Sequence, residues 1–201
     1  MTMTDNDFNK LIKWAKKNDA YNIISMTKKQ ITSAKELNLS NLDIERVSLE
    51  ICKLTNIEKL YLSLNYIEKI PKQIKNLKKL KVLDISANNI KVIPKEIFDL
   101  TMLEYLNISN NYIDEIDNDI EKLINLKELD ISSCNISSLP EGIFKLYNIE
   151  FLDISSNKIK KIDSKIKNLE NLEELIIDSN KLKRIPKEIN NLKKLKILSI
   201  F

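Results

Sequence analysis

From Ala34 onward the apolar residues return every 23 positions, at Ile57, Leu80, Leu103, Leu126, Ile149, Leu172 and Leu195, without an insertion or deletion. In the unit 80–102 they are Leu80, Leu83, Ile85, Ile90, Ile93, Ile97 and Leu100, which occupy positions 1, 4, 6, 11, 14, 18 and 21 of the repeat. The seven complete units start at 34, 57, 80, 103, 126, 149 and 172, and all are apolar at those seven positions. Leu83, Asp84 and Ile85 alternate with period two, which predicts a half-buried strand. Ile93, Ile97 and Leu100 recur at three and four, which predicts a short helical turn. Units of this kind stack in one direction, bury a continuous core, and leave function to a long shared surface.

Three other positions carry local chemistry. Position 15 holds every proline in the chain, Pro71, Pro94, Pro140 and Pro186, and otherwise Ser48, Asp117 or Asp163. Both sets start helices, proline through its fixed φ and the others by capping free backbone donors. Position 9 is Asn65, Asn88, Asn111, Asn157 and Asn180, in an apolar surround where an unpaired amide costs about 1–3 kcal/mol. A ladder of amides bonded to the loops that leave the strands is therefore expected, interrupted by Leu42 and by Cys134 as a tolerated substitute. Serine fills position 7 in six units, from Ser40 to Ser155, where bonding to local backbone is expected.

Together these residues spell LxxLxLxxNxIxxIPxxIxxLxx, which resembles the leucine-rich repeat family, in particular its 23-residue, Ras-group-like class. The resemblance covers residues 34–201. It implies an α/β solenoid with a curved parallel sheet on the concave face and short helices or 3-10 turns on the convex face. The chain departs from the pattern in preferring Ile to Leu at positions 6, 11, 14 and 18, a volume-conserving change. The resemblance also implies a non-catalytic scaffold that binds a protein. Ras-group relatives bind small GTPases and phosphatases, and nothing in these residues selects either.

The expected organisation is an N-terminal helical cap at 1–33 followed by the solenoid at 34–201, whose eighth unit, from 195, is partial. Phe8, Leu11, Ile12 and Ala15 share one helical stripe that Thr4 or Asp5 can cap, and a weaker stripe of Ala20, Ile23, Ile24 and Ile31 follows. Trp14 lies off the main stripe, so a docking helix presenting it is the alternative to a cap. At the other end an uncovered strand edge, with Ile176, Ile197 and Phe201 beside Phe151, predicts a weak tail-to-tail homodimer, unless the chain is truncated there.

Composition narrows the function classes. Thirty-three basic and 29 acidic residues leave a net charge of +4, too dispersed to imply nucleic acid. No window approaches a membrane span, and no basic segment leads into an apolar run. Cys52 and Cys134 stand in different phases of the repeat, four units or roughly 19 Å apart, too far to bridge. Two unpairable thiols point to a reducing, cytoplasmic location, in which the triplets at Asn38, Asn107 and Asn135 meet no glycosylation machinery. The chain has no histidine, which removes His-based catalysis and the usual zinc sets, and its sole glycine, Gly142, removes phosphate-cradling loops. Neither an enzyme, a cofactor nor a metal is expected, and the carboxylates Asp84, Asp130 and Asp153 read as a solvated acidic face.

Positions 3, 5 and 7, with 8 and 10 on the rim, should form the concave floor. There eight acidic residues, among them Glu36, Asp43 and Asp178, face only Lys59, Lys158 and Lys181, a local charge of about −5 that leaves +9 elsewhere. Phosphates would meet carboxylates in such a groove, so a protein partner with a basic patch is favoured. Tyr66 and Tyr112 join the rim. The expected partner-binding residues are Lys59, Tyr61, Val82, Asp84, Tyr105, Asn107, Glu128, Asp130, Phe151, Asp153, Glu174 and Ile176, aromatic anchors interleaved with charge. The alternative is a structural or adhesive module acting through the basic convex face, with Lys72, Lys75, Lys78, Lys79, Lys187, Lys193 and Lys194, or through the C-terminal edge.

Overall fold

The computed structural model describes residues 3–200 and places one short strand in every unit. These are β1 (Glu36–Asn38), β2 (Lys59–Tyr61), β3 (Val82–Asp84), β4 (Tyr105–Asn107), β5 (Glu128–Asp130), β6 (Phe151–Asp153), β7 (Glu174–Ile176) and β8 (Ile197–Ser199). They form one parallel sheet in chain order, each residue paired with the one 23 positions on, as Leu83 is with Leu106. An exact repeat allows this register because a slip of one residue would turn every apolar side chain to the wrong face. The descending limbs are 3-10 helices rather than α-helices, for example Lys72–Asn76, Asn118–Lys122 and Ser164–Asn168. These limbs of three to five residues are closed by tight bonds to the residue three back, as from Ile74 N–H to the Pro71 carbonyl and from Leu77 N–H to the Ile74 carbonyl.

The repeat's apolar positions fill the core. All but four of the 49 are buried, the exceptions being Ala34, Leu139, Leu182 and Ile185. Ile185 is 37% exposed, because no further complete unit stacks on the seventh. At position 15 the four prolines precede their helices in extended backbone, and the Asp117 and Asp163 carboxylates accept the Asp119 and Lys165 amides at 2.9 Å. Ser48 does not cap as expected. Its hydroxyl donates to Glu50 at 2.6 Å, and the first 3-10 helix begins only at Ile51.

The asparagine ladder forms as the pattern predicts. Each of the five amides donates to three carbonyls and accepts one or more backbone amides; Asn65 Oδ1 takes both Leu42 and Ile44 N–H, at 3.0 and 2.9 Å. Cys134 Sγ makes a single 3.6 Å bond to the Ile108 carbonyl in the same slot. Among the described residues no buried side-chain polar atom lacks a partner.

Position 8 carries a feature the sequence did not announce. It has positive φ in every complete unit, from Asn41 (57°) through Leu64 (56°) and Ala87 (50°) to Ser179 (54°), so the chain leaves each strand through a left-handed residue. Only asparagine among the occupants favours that region, which hid the requirement. Gly142 was likewise legible only as an absence of phosphate loops. A Cβ there would lie 2.3 Å from the Asn118 carbonyl oxygen, so the fifth unit's helix packs backbone to backbone on the fourth.

Three helices precede β1: α1 (Asp5–Lys17), α2 (Tyr21–Ile24) and α3 (Lys28–Ser33). Capping boxes Thr4/Asp7 and Thr27/Gln30 start α1 and α3. Asp7 is bound to Lys53 Nζ at 2.6 Å, which holds its carboxyl well below the usual range, and Trp14 Nε1 donates to the Arg46 carbonyl at 2.8 Å. Both contacts tie α1 to the first repeat, and the indole packs on the core instead of being held out for docking. At the far end Ile197 and Leu198 of β8 are exposed, while Phe201 lies outside the described residues.

Candidate functional site

The candidate residues project from the strands in two rows. Position 3 runs Glu36, Lys59, Val82, Tyr105, Glu128, Phe151, Glu174, Ile197, and position 5 runs Asn38, Tyr61, Asp84, Asn107, Asp130, Asp153, Ile176, Ser199. Each row is half-buried or exposed while position 4 between them is a buried leucine in β1 to β7, so all twelve side chains lie on the face away from the core. Val82, Tyr61, Tyr105 and Glu128, with Glu104 and Lys127 at the rim, line a shallow depression of about 410 Å³.

The position-5 side chains have a second employment. Asn38, Asp84, Asn107, Asp130 and Asp153 each accept the amide of the residue two positions on, at 2.8–3.0 Å, closing a turn that directs the chain into the left-handed residue. The serine row accordingly bonds differently from expectation. Ser86 and Ser109 hydroxyls donate to Asp84 and Asn107 side chains at 2.6 and 2.7 Å, and Ser40 meets Ser63 across units at 3.0 Å, instead of bonding backbone.

The electrostatics follow from crowding. Asp153 stands beside Asp130 on the neighbouring strand, and burial pushes its carboxyl up, with Asp130 and Asp178 adding and the Ser155 bonds opposing. Burial also pushes the Tyr105 phenol up, against a 3.3 Å bond from Asn107, with Asp84, Asp130 and Glu128 adding. Lys59, the sole cation of the two rows, is spent on Glu36 at 3.7 Å. The floor is thus an apolar strip set in uncompensated carboxylate.

Two ladders escaped sequence reading. Position 2 alternates Lys35, Glu58, Lys81, Glu104, Lys127 and Glu150 at the mouth of the strands. Its ion pairs include Lys35–Glu58 at 2.8 Å, Lys127–Glu104 at 3.3 Å and Lys196–Glu173 at 2.7 Å. Position 23 places Asn56, Asn125, Asn148 and Asn171 so that Asn56 donates to the Thr32 carbonyl of α3 and the other three to a carbonyl of the preceding unit, at 2.7–3.0 Å. Reading each column of the repeat downward, including the polar ones, is the signal that finds both. Cys52 and Cys134 are free and buried, and burial pushes the Cys52 thiol up to about 12.

Comparison with known proteins gives one consistent result. Residues 115–201 match the model of a leucine-rich repeat region, and residues 55–113 and 78–123 match that of the leucine rich repeat. A leucine-rich repeat protein of Leptospira interrogans superposes with TM-score 0.81 at 34% identity, over 83% of this chain and 43% of its own. A plant peptide hormone receptor, RGFR1, solved in complex with RGF2, superposes with TM-score 0.68 at 30% identity, over 77% of this chain and 26% of its own. The ectodomain of the Arabidopsis thaliana receptor kinase GASSHO1/SCHENGEN3, solved with CASPARIAN STRIP INTEGRITY FACTOR 2, shares the fold with TM-score 0.66 at 20% identity, over 84% and 24%. The chain therefore spans less than half the length of each of these proteins. No protein of curated function matches it.

Proposed function

Because this chain belongs to the leucine-rich repeat family, we propose that it is a non-catalytic scaffold that captures a protein on its strand face, and that the partner presents basic residues there. The carrying observation is the pair of unbroken rows. Tyr61, Val82, Tyr105 and Phe151 supply half-buried apolar area, and six carboxylates surround them against one lysine already paired. Aromatic anchors rimmed by charge concentrate binding energy, and a like-signed floor selects partners by sign. The receptor solved with RGF2 supports the reading as a related solenoid that holds a partner. Two free, buried thiols that cannot reach each other support a reducing compartment, which fractionation of the native cell tests.

The decisive variant is Asp84→Asn/Asp130→Asn/Asp153→Asn. Asparagine retains the oxygen that closes the turn, as Asn38 and Asn107 do naturally, so charge is removed without the local bond. Affinity capture from the native cell should lose its specific protein with this variant by about tenfold or more, while Lys187→Gln/Lys193→Gln/Lys194→Gln on the convex side keeps it. The reverse result would establish the convex or adhesive reading instead.

A further inference from the structure

Positions 12 and 13 follow the strand face around one flank of the solenoid, and both are exposed in every complete unit. The first two units mix signs there, as Glu45/Arg46 and Glu68/Lys69, and the third carries Lys91, but from the fourth unit onward the charge is segregated. The fourth unit places Asp114 and Glu115 there, the fifth the neutral Ser137 and Ser138, the sixth Lys160 and Lys161, and the seventh Lys183 and Arg184. Some charged side chains elsewhere pair with the adjacent unit, as Lys95 does with Asp117 at 2.9 Å and Lys145 with Glu121 at 2.7 Å. Among the described residues these six flank charges form no ion pair at all. Beside them the fourth unit exposes Tyr112 and the seventh Ile185.

We propose that this flank is a self-association surface, on which two copies lie side by side and antiparallel, the acidic fourth unit of each against the basic seventh unit of the other. The chain itself carries both halves of the complement, which argues for a second copy as the occupant. Antiparallel pairing about an axis between the fifth and sixth units satisfies both charge steps in one closed contact. In-register parallel pairing sets acid on acid. An axis through the fifth unit sets Lys91 of one copy against Lys183 of the other. In the proposed register the neutral fifth unit meets the sixth, and Tyr112 and Ile185 fall in facing units. The surface meets the strand face only at the rim residue Tyr112 and leaves the two rows of strand residues open. Exposed ion pairs are individually weak and screened, so the dimer dissociates readily and responds to salt.

Sedimentation equilibrium of the full chain tests this. At about 50 mM salt a concentration-dependent dimer is expected, weakened by about tenfold or more at about 500 mM. Asp114→Lys/Glu115→Lys and Lys183→Glu/Arg184→Glu, both at exposed positions and checked for native circular dichroism, should each be monomeric alone and form a heterodimer when mixed. A wild-type chain that stays monomeric at low salt overturns the proposal. So does a dimer that either variant retains, and so does a mixture that fails to associate. A dimer lost only when Ile197 is changed would place the contact on the β8 edge and overturn it too.

Discussion

Replacing Asn111 by alanine tests the ladder on which the stacking depends. The Asn111 side chain accepts the Ile90 amide at 2.9 Å and donates to the carbonyls of Ile85, Ile108 and Ser109 at 3.0–3.1 Å. The three carbonyls each retain another donor, Asn88, Cys134 and the Ala87 amide respectively. The Ile90 amide does not, among the described residues, and a stranded buried donor costs about 1–3 kcal/mol. Weakening at the three carbonyls adds a few tenths each, so Asn111→Ala should cost about 2–4 kcal/mol. Urea unfolding followed by far-ultraviolet circular dichroism reads this as a lower midpoint at constant slope. Cys134→Asn is the reciprocal experiment, since asparagine there regains the Ile113 amide as a donor and should add about 1–2 kcal/mol. A loss below about 1 kcal/mol for Asn111→Ala, with no gain for Cys134→Asn, would refute the view that these amides are the buried fastening between units.

Three further outcomes follow from local geometry. Leu64 is exposed and left-handed at φ 56°, so Leu64→Asn should raise the urea midpoint by the equivalent of about 1 kcal/mol; unchanged or lowered stability would contradict the strain assigned to position 8. Gly142→Ala sets a Cβ against the rigid Asn118 carbonyl and should cost about 1–3 kcal/mol by the same assay, whereas a neutral result would mean the fourth and fifth units separate freely. Asp153 has its folded pKa raised, mainly by burial, so the stability it contributes is present below the ordinary carboxyl pKa and is lost as pH rises through the folded value. Asp153→Asn should therefore be more stable than wild type near pH 7 and equal to it near pH 3, and a constant difference between the two would refute the shift.

Much of the fold was legible because its causes are periodic. The apolar columns at positions 4 and 6 and the asparagine at position 9 are set by which side chains face inward, and the strand and amide ladder lie where that pattern puts them. The two rows of candidate residues were legible for the same reason, since strand geometry alone sends positions 3 and 5 outward. What escaped has a different character. Asp84, Asp130 and Asp153 read as surface charge, yet each also closes a turn, a role visible only once the chain's left-handed exit at position 8 is known. Ser48 reads as a helix cap and Ser86 as bonded to local backbone, yet both hydroxyls find a side chain nearer.

By itself, then, the sequence determined period, register and facing, because burial of apolar side chains depends on spacing and little else. The tertiary structure alone decided the backbone conformation at Leu64 and Ala87, the 3-10 form of the descending limbs, the backbone contact at Gly142 and the partners of Ser48 and of the position-7 serines. Those outcomes turn on distances of a few tenths of an ångström between neighbouring units. Spacing along a chain carries no record of them.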